Sequence, residues 1–242
     1  MATIYGTTPE KSIFPKTIGG LSLWLDANDS TTLFDNNTGG NRIIADGTAI
    51  GRWEDKSGNS RHAFQSTAGV RPTLKLNGQN RLSLIRMDGT QYFSSINTSA
   101  VTSAFAICIF KIDNNPPTST TFAGHPLGTI SSFNSHLPWT DGTIYDATFT
   151  NTRKTTSNPS QNLTNLTMYS VESRSSFWES KINSTSFYST VSNVFQNTDI
   201  FQNSATYFLK GFIGEIIVYS TIPSLTNILK IQNYLNNKWK IY

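Results

Sequence analysis

Residues 51–64 read Gly-Arg-Trp-Glu-Asp-Lys-Ser-Gly-Asn-Ser-Arg-His-Ala-Phe, which compresses a strand, a tight turn and the start of a second strand into fourteen residues. Trp53 and Asp55 alternate with Glu54 and Lys56 at the two-residue period of a β-strand, so one face carries the indole and the other solvated charge. Ser57-Gly58-Asn59-Ser60 supplies the turn: Gly58 and Asn59 reach positive φ at little cost, and the Ser and Asn side chains bond nearby backbone. A corner this short belongs to an antiparallel β protein.

The rest of the chain repeats the theme. Leu21, Leu23 and Leu25 alternate with Ser22, Trp24 and Asp26, as in a strand buried on nearly both faces. Residues 35–51, with Gly39-Gly40 and Asp46-Gly47, read as a hairpin or long loop. Residues 73–92 read as strands broken at Asn77-Gly78 and Asp88-Gly89. Residues 105–112 form the most apolar strand, stopped by Asn114-Asn115-Pro116-Pro117 because proline cannot join a central ladder. Strands are expected again over 131–151, 167–173, 176–182 and 206–220, with a polar loop over 155–165. Turn signals at this spacing predict two packed antiparallel sheets, with Trp24, Trp53, Phe105, Ile107 and Ile109 in or beside the core.

One helix is expected. Ser224 caps a run in which Leu225, Ile228, Ile231 and Leu235 share a face, with Trp239 a turn further on, and such a helix would cover an end or edge of the sandwich. The length of 242 residues suits one domain over 19–242. Residues 1–18, interrupted by Pro9 and Pro15 and without a sustained period, read as an N-terminal arm.

Trp-x-Asp-x-Ser-Gly-Asn followed by Arg61-His62-Ala63 is more specific than a corner requires. With it come Gly20-Leu-Ser-Leu-Trp-Leu-Asp-Ala-Asn-Asp29 upstream and Arg71-Pro-Thr with Ile85-Arg-Met-Asp-Gly-Thr-Gln-Tyr-Phe93 downstream. Gly211-Phe-Ile-Gly-Glu-Ile-Ile-Val-Tyr219 follows, and a closing segment ends in Lys238-Trp239. In this order the segments resemble the LamG-like, concanavalin A-like jelly-roll family over most of residues 19–242. The resemblance implies an all-β, two-sheet antiparallel jelly-roll sandwich with one C-terminal helix. It leans to viral and phage members, since no signal peptide is visible and the Asn, Ile, Lys and Ser/Thr content looks like that of AT-rich viral genomes. The expected setting is a virion, the protein being made in a host cytoplasm.

Several function classes are disfavoured by composition. At 12% aromatic the chain can bury a core, which argues against disorder, and the 19 Lys and Arg behind the net charge of +4 are scattered, leaving no nucleic-acid footprint. No apolar run approaches the roughly 18 residues of a membrane span. The lone Cys108 lies in an apolar strand and reads as a small buried hydrophobe.

Catalysis is not expected. A glycosidase needs paired carboxylates, yet no Glu-x-Asp-x-Glu occurs, and Asp141 and Asp146 fall on opposite faces of a regular strand. There is no Gly-x-Ser-x-Gly elbow, and His62, His125 and His136 lack metal-ligand spacing. No catalytic residue is assigned. What residues 136–146 offer is a sugar-binding mixture of stacking rings and directed polar groups. The candidate glycan contacts are His136, Trp139, Asp141, Tyr145, Asp146 and Trp178. No cofactor is implied, except that Asp26, Asn28 and Asp29 group oxygens in a manner suited to Ca²⁺.

Two roles follow. One is a non-catalytic module that attaches a larger assembly to a glycan or host-surface polysaccharide. The other is a building block whose faces and residues 1–17 pack against copies of itself or other shell proteins, with Ile4, Tyr5, Ile13 and Phe14 as apolar anchors. The combined expectation is a virion surface or structural protein: a minor capsid, decoration or fibre component. The alternatives are a free lectin-like module and a glycan-degrading enzyme.

Overall fold

The computed structural model describes residues 14–128, 135–201 and 206–242. In chain order the strands are β1 (Leu21–Asp26), β2 (Leu33–Asn36), β3 (Gly39–Arg42), β4 (Arg52–Trp53), β5 (Ala63–Phe64), β6 (Thr73–Gln79) and β7 (Leu82–Asp88). They continue with β8 (Ser103–Ile112), β9 (Tyr145–Asp146), β10 (Lys154–Thr155), β11 (Thr167–Arg174), β12 (Phe177–Ile182), β13 (Thr185–Thr190) and β14 (Lys210–Tyr219), and helix α1 (Leu225–Trp239) closes the chain.

β8 explains the architecture. Ala104, Ala106, Cys108, Phe110 and Ile112 enter one apolar cluster while Phe105, Ile107 and Ile109 enter another, so a strand apolar at both parities is covered on both faces. It sits inside an antiparallel sheet of order β13-β12-β11-β8-β14-β7-β6. β14 divides its other edge, pairing with β7 over residues 210–213 and with β1 over residues 215–219. At the division the register against β8 slips at Gly214, so that Ile213, Ile216 and Val218 face one cluster and Phe212, Ile217 and Tyr219 the other. A Cβ at Gly214 would lie 3.0 Å from Trp239 Cη2, so a larger residue there would crowd the indole beneath the helix.

The larger cluster lies between this sheet and a second one of order β3-β2-β4-β5, filled by Leu33, Trp53, Phe93 and Phe201 among others. Phe93 stands 6.0 Å from Trp53 and 5.5 Å from Phe201, at tilted angles. The molecule is an antiparallel two-sheet β sandwich with one C-terminal helix, as the turn spacing predicts. All five residues expected in or beside the core are buried, Trp53 in the inter-sheet cluster and Trp24, Phe105, Ile107 and Ile109 in the other cluster, beneath α1. The helix thus covers a sheet face rather than an end or edge. Its Ser224 cap is present, the hydroxyl accepting from Asn227 N, and Ile228, Ile231, Leu235 and Trp239 are buried.

Three local readings are corrected. Residues 73–92 turn at Asn80-Arg81, both at positive φ, whereas Asn77 (φ 51°) lies within an irregular stretch of β6. That two-residue turn demands left-handed backbone, and an arginine there gives no warning. In the corner, Gly58 and Ser60 take positive φ, not Asn59. Of the strand expected over 131–151, the described part is loop apart from β9 and isolated bridges. Strand β13 was not expected, because its two aromatic residues, Phe187 and Tyr188, fall at opposite parities and leave no alternation to be read.

Near the N-terminus, Phe14 packs edge-on against Tyr234 of α1 at 5.5 Å, Pro15 O accepts from Tyr219 Oη, and Ile18 is buried. Residues 14–18 therefore join the sandwich's own helix-side cluster, while Ile4, Tyr5, Pro9 and Ile13 lie outside the described residues. Among the described residues, no helix is long and apolar enough to cross a membrane. Cys108 is buried, and burial pushes its thiol well above the usual value.

Candidate functional site

The corner that organises the sequence is consumed by the fold. Asp55 accepts from Trp24 N (2.9 Å), Ser57 N (2.8 Å), Ser57 Oγ (2.7 Å) and Arg61 N (3.1 Å). Asn59 Nδ2 donates to Leu21 O and Ser22 O, and Arg61 donates to Ser22 O. The motif ties the corner to β1, so its residues are fasteners.

The candidate cation loop is also occupied, by the protein's own ammonium groups. Asp26 accepts from Lys56 Nζ (2.9 Å) and Lys238 Nζ (2.7 Å), and Asp29 pairs with Lys56 at 2.8 Å while capping the short helical turn after it through Thr31 N. Asn28 Oδ1 accepts from Ser83 N. Lys238 also meets Glu215, the fully buried cross-strand neighbour of Asp26, at 2.7 Å. Glu215 accepts further from Trp24 Nε1 (2.7 Å), Trp239 Nε1 (2.9 Å) and Tyr234 Oη (3.0 Å). Burial and the nearby Asp26 charge push the Glu215 carboxyl up, with Lys238 opposing them. Lys238 stands 212 residues from Asp26, so nothing local to the loop foretells this arrangement.

The six candidate glycan contacts separate into two groups. Asp146 and Trp178 are fully buried. Asp146 accepts from Tyr169 Oη (2.7 Å) and Thr148 N (2.6 Å) and has His125 Nε2 at 3.3 Å. Burial pushes its carboxyl up, but His125, Thr148 and Tyr169 outweigh that and hold it below 3.8. Trp178 Nε1 donates to Thr148 O inside the core. Neither can touch a ligand in this conformation.

The remaining four form an aromatic corner at the surface. Trp139 and Tyr145 are half-buried and Asp141 is exposed, with buried His136 packed beneath them, its ring 4.2 Å from that of Trp139. His136 Nδ1 lies 2.8 Å from Ala123 O, which can only accept, so the proton sits on Nδ1. Burial, eased by that bond, lowers His136 from 6.5 to about 4, leaving a neutral ring at physiological pH. Tyr145 Oη donates to Asp141 Oδ2 at 3.3 Å, and Thr143 N–H bonds hold the Asp141 carboxylate in its low, charged range.

Sequence reasoning missed the other half of this surface. Tyr207 stands edge-on to His136 at 4.8 Å and to Trp139 at 5.5 Å, brought there from a loop more than sixty residues along the chain. Arg153 lies over the Tyr145 ring with Cζ 4.7 Å from its centroid. Arg153 also lines an adjoining cleft of about 410 Å³, within the roughly 300–1,000 Å³ typical of ligand pockets. Lys154, Tyr188, Thr190, Ser192 and Asn193 contribute to its walls. The available signal was Arg153-Lys154, the chain's one pair of adjacent basic residues.

Fold and site together define a β-sandwich domain with a concave polar surface beside an aromatic platform. No protein-family model matches the sequence, and no curated protein does. Among solved structures the chain is similar to the binding domain of Paraclostridial Mosquitocidal Protein 1, with a TM-score of 0.57 and 11% identity, over 92% of this chain and 53% of that one. It is also similar to Trypanosoma rangeli sialidase in complex with sialic acid, with a TM-score of 0.50 and 11% identity, over 90% of this chain and 33% of that one. A further match is domain 4 of AbnA, a GH43 extracellular arabinanase from Geobacillus stearothermophilus, in complex with arabinotriose. There the TM-score is 0.47 at 14% identity, over 88% of this chain and 98% of that one. This chain spans about half of the first protein and a third of the second, and at such identities the likeness is one of fold.

Proposed function

We propose that this chain is a non-catalytic glycan-binding module whose contact surface is the Trp139, Tyr145 and Tyr207 corner with the adjoining cleft. The observation that carries the reading is the pairing of a half-buried indole and phenols, fixed by His136, with a cleft walled by hydroxyls and amides and, among its described lining residues, no carboxylate. Rings stack on the apolar face of a pyranose while directed polar groups bond its hydroxyls. Without a carboxylate in the cleft there is no group to protonate a leaving oxygen or activate water. Asp26 and Glu215, the carboxylates paired across β1 and β14, both bond Lys238 and are buried under α1. Lys56 and Lys238 already meet the Asp26 and Asp29 carboxylates that a cation would use. The shared fold with a toxin's binding domain and part of a sialidase supports a binding role.

The test is a glycan panel read by calorimetry together with reducing-end release. Wild-type protein is expected to bind without releasing reducing ends, and Trp139→Ala to weaken binding at least tenfold, the scale of an aromatic anchor. Release abolished by Asp141→Ala or Glu215→Ala would overturn the reading. A virion surface is the setting that the sequence resemblance implies, and recovery of the chain in purified particles tests that part separately.

A further inference from the structure

The cleft beside the aromatic corner contains a positive charge that no described carboxylate neutralises. Lys154 is 7% exposed, a degree of burial at which lysines are almost always paired. Its ammonium donates to Ser192 O at 3.0 Å, and no carboxylate pairs with it among the described residues. Asp146 stands directly opposite Lys154 in the β9–β10 ladder, but its oxygens are committed to Tyr169, Thr148 and His125. Burial accordingly lowers Lys154 from its ordinary value, with nothing opposing it. The same wall presents Arg153, and Tyr188 lies half-buried in the cleft with Trp178 behind it at 6.1 Å.

A hydroxyl-lined cleft of about 410 Å³ with an aromatic wall suits a sugar ring, and an ammonium held in that wall suits an anionic substituent on the ring. We infer that the cleft selects acidic glycans, with Lys154 as the residue that bonds the carboxylate or sulfate of the bound sugar and Arg153 as a second cation linking the cleft to Tyr145. This rests on the glycan-binding reading above and narrows it. Lysine acts as a point charge, so it accepts either anion, whereas the loss of that charge is felt only by charged sugars.

The experiment titrates the full chain with three matched probes: lactose, sialyllactose and sulfolactose. At least one acidic probe is expected to bind about tenfold or more tighter than lactose, the worth of one charge-assisted hydrogen bond. Lys154→Met, which keeps the apolar stem, is expected to abolish that preference, read as the ratio of acidic-probe to lactose affinity within the same variant. Ser192→Asp, an exposed substitution at the cleft wall, is expected to do the same by placing a competing carboxylate beside the ammonium, and so guards against a Lys154 variant that fails to fold. Wild-type protein with equal affinity for all three, or a preference that survives both variants, overturns acidic selection and leaves glycan binding standing. If no probe binds, and neither does any member of the wider panel, both fall.

Discussion

Two regions of this molecule gather aromatic rings around ionisable groups, and they do opposite things with them. Under α1, Glu215 and Asp26 share Lys238, Asp26 and Asp29 share Lys56, and Trp24, Trp239 and Tyr234 supply the remaining donors. Each charge there meets its opposite, and the helix seals the set. At the cleft, Lys154 bonds a backbone carbonyl, and Trp139, Tyr145 and Tyr207 turn partly to solvent. A satisfied polar network locks a fold, while an ammonium without a counter-charge beside an open cleft is an invitation to a ligand. Sequence alone puts the two on a par, since both are carboxylates, lysines and tryptophans among apolar residues.

The largest expected effect lies under the helix. Lys238→Met leaves the fully buried Glu215 without its cation, and losing one partner of a buried pair costs about 3–5 kcal/mol. Urea unfolding should therefore show a sharp drop in midpoint, partly recovered when Glu215→Gln is added, while glycan binding by the folded fraction is unchanged. A loss below about 1 kcal/mol would mean that the two regions are not energetically distinct.

The middle effect belongs to the cleft side and is set by pH. Because burial lowers His136 from 6.5 to about 4, the unfolded chain binds that proton more readily than the folded one. Its contribution is therefore complete above pH 6.5 and lost as pH falls toward about 4. At 1.36 kcal/mol per pH unit this amounts to up to about 3 kcal/mol. His62, lowered by burial and then by Arg52, adds a change of the same sign, so the measurement is the difference between wild type and His136→Asn across that window. An identical slope in both proteins would show that the His136 ring is not held neutral by the aromatic corner.

The smallest effect sets the baseline. Lys75 and Asp46 pair at 2.8 Å with both side chains about half exposed, and such pairs contribute little. Lys75→Ala should leave the unfolding midpoint unchanged within error, and a clear shift would show that ion pairing stabilises this fold irrespective of burial.

Much of the sandwich was legible because its signals are local. A strand apolar at both parities, residues 105–112, had to be central, and the Ile228, Ile231, Leu235 spacing after Ser224 had to be a helix. The turn at Asn80-Arg81 was not legible, since the tempting Asn77-Gly78 sits three residues earlier and an arginine rarely accepts positive φ. At the site, Trp139, Asp141 and Tyr145 could be found together because one short loop carries them. Asp146 and Trp178 were drawn in by the same chemistry, yet the core takes both: parity fails along the irregular segment around Asp146, and on β12 the inward parity holds Trp178 with Ser180 and Ile182, too mixed a set to announce a core face.

What the sequence determined by itself is the β-sandwich class, the double burial of β8 and the capped closing helix, all products of backbone preference and hydrophobic period over a few residues. Tertiary structure alone decided the rest. Lys238 reaches Asp26 across 212 positions, Tyr207 closes on His136 and Trp139, and Asp146 turns from Lys154 to Tyr169. Whether a charge is paired depends on which distant side chain arrives beside it, and that depends on how the sheets pack.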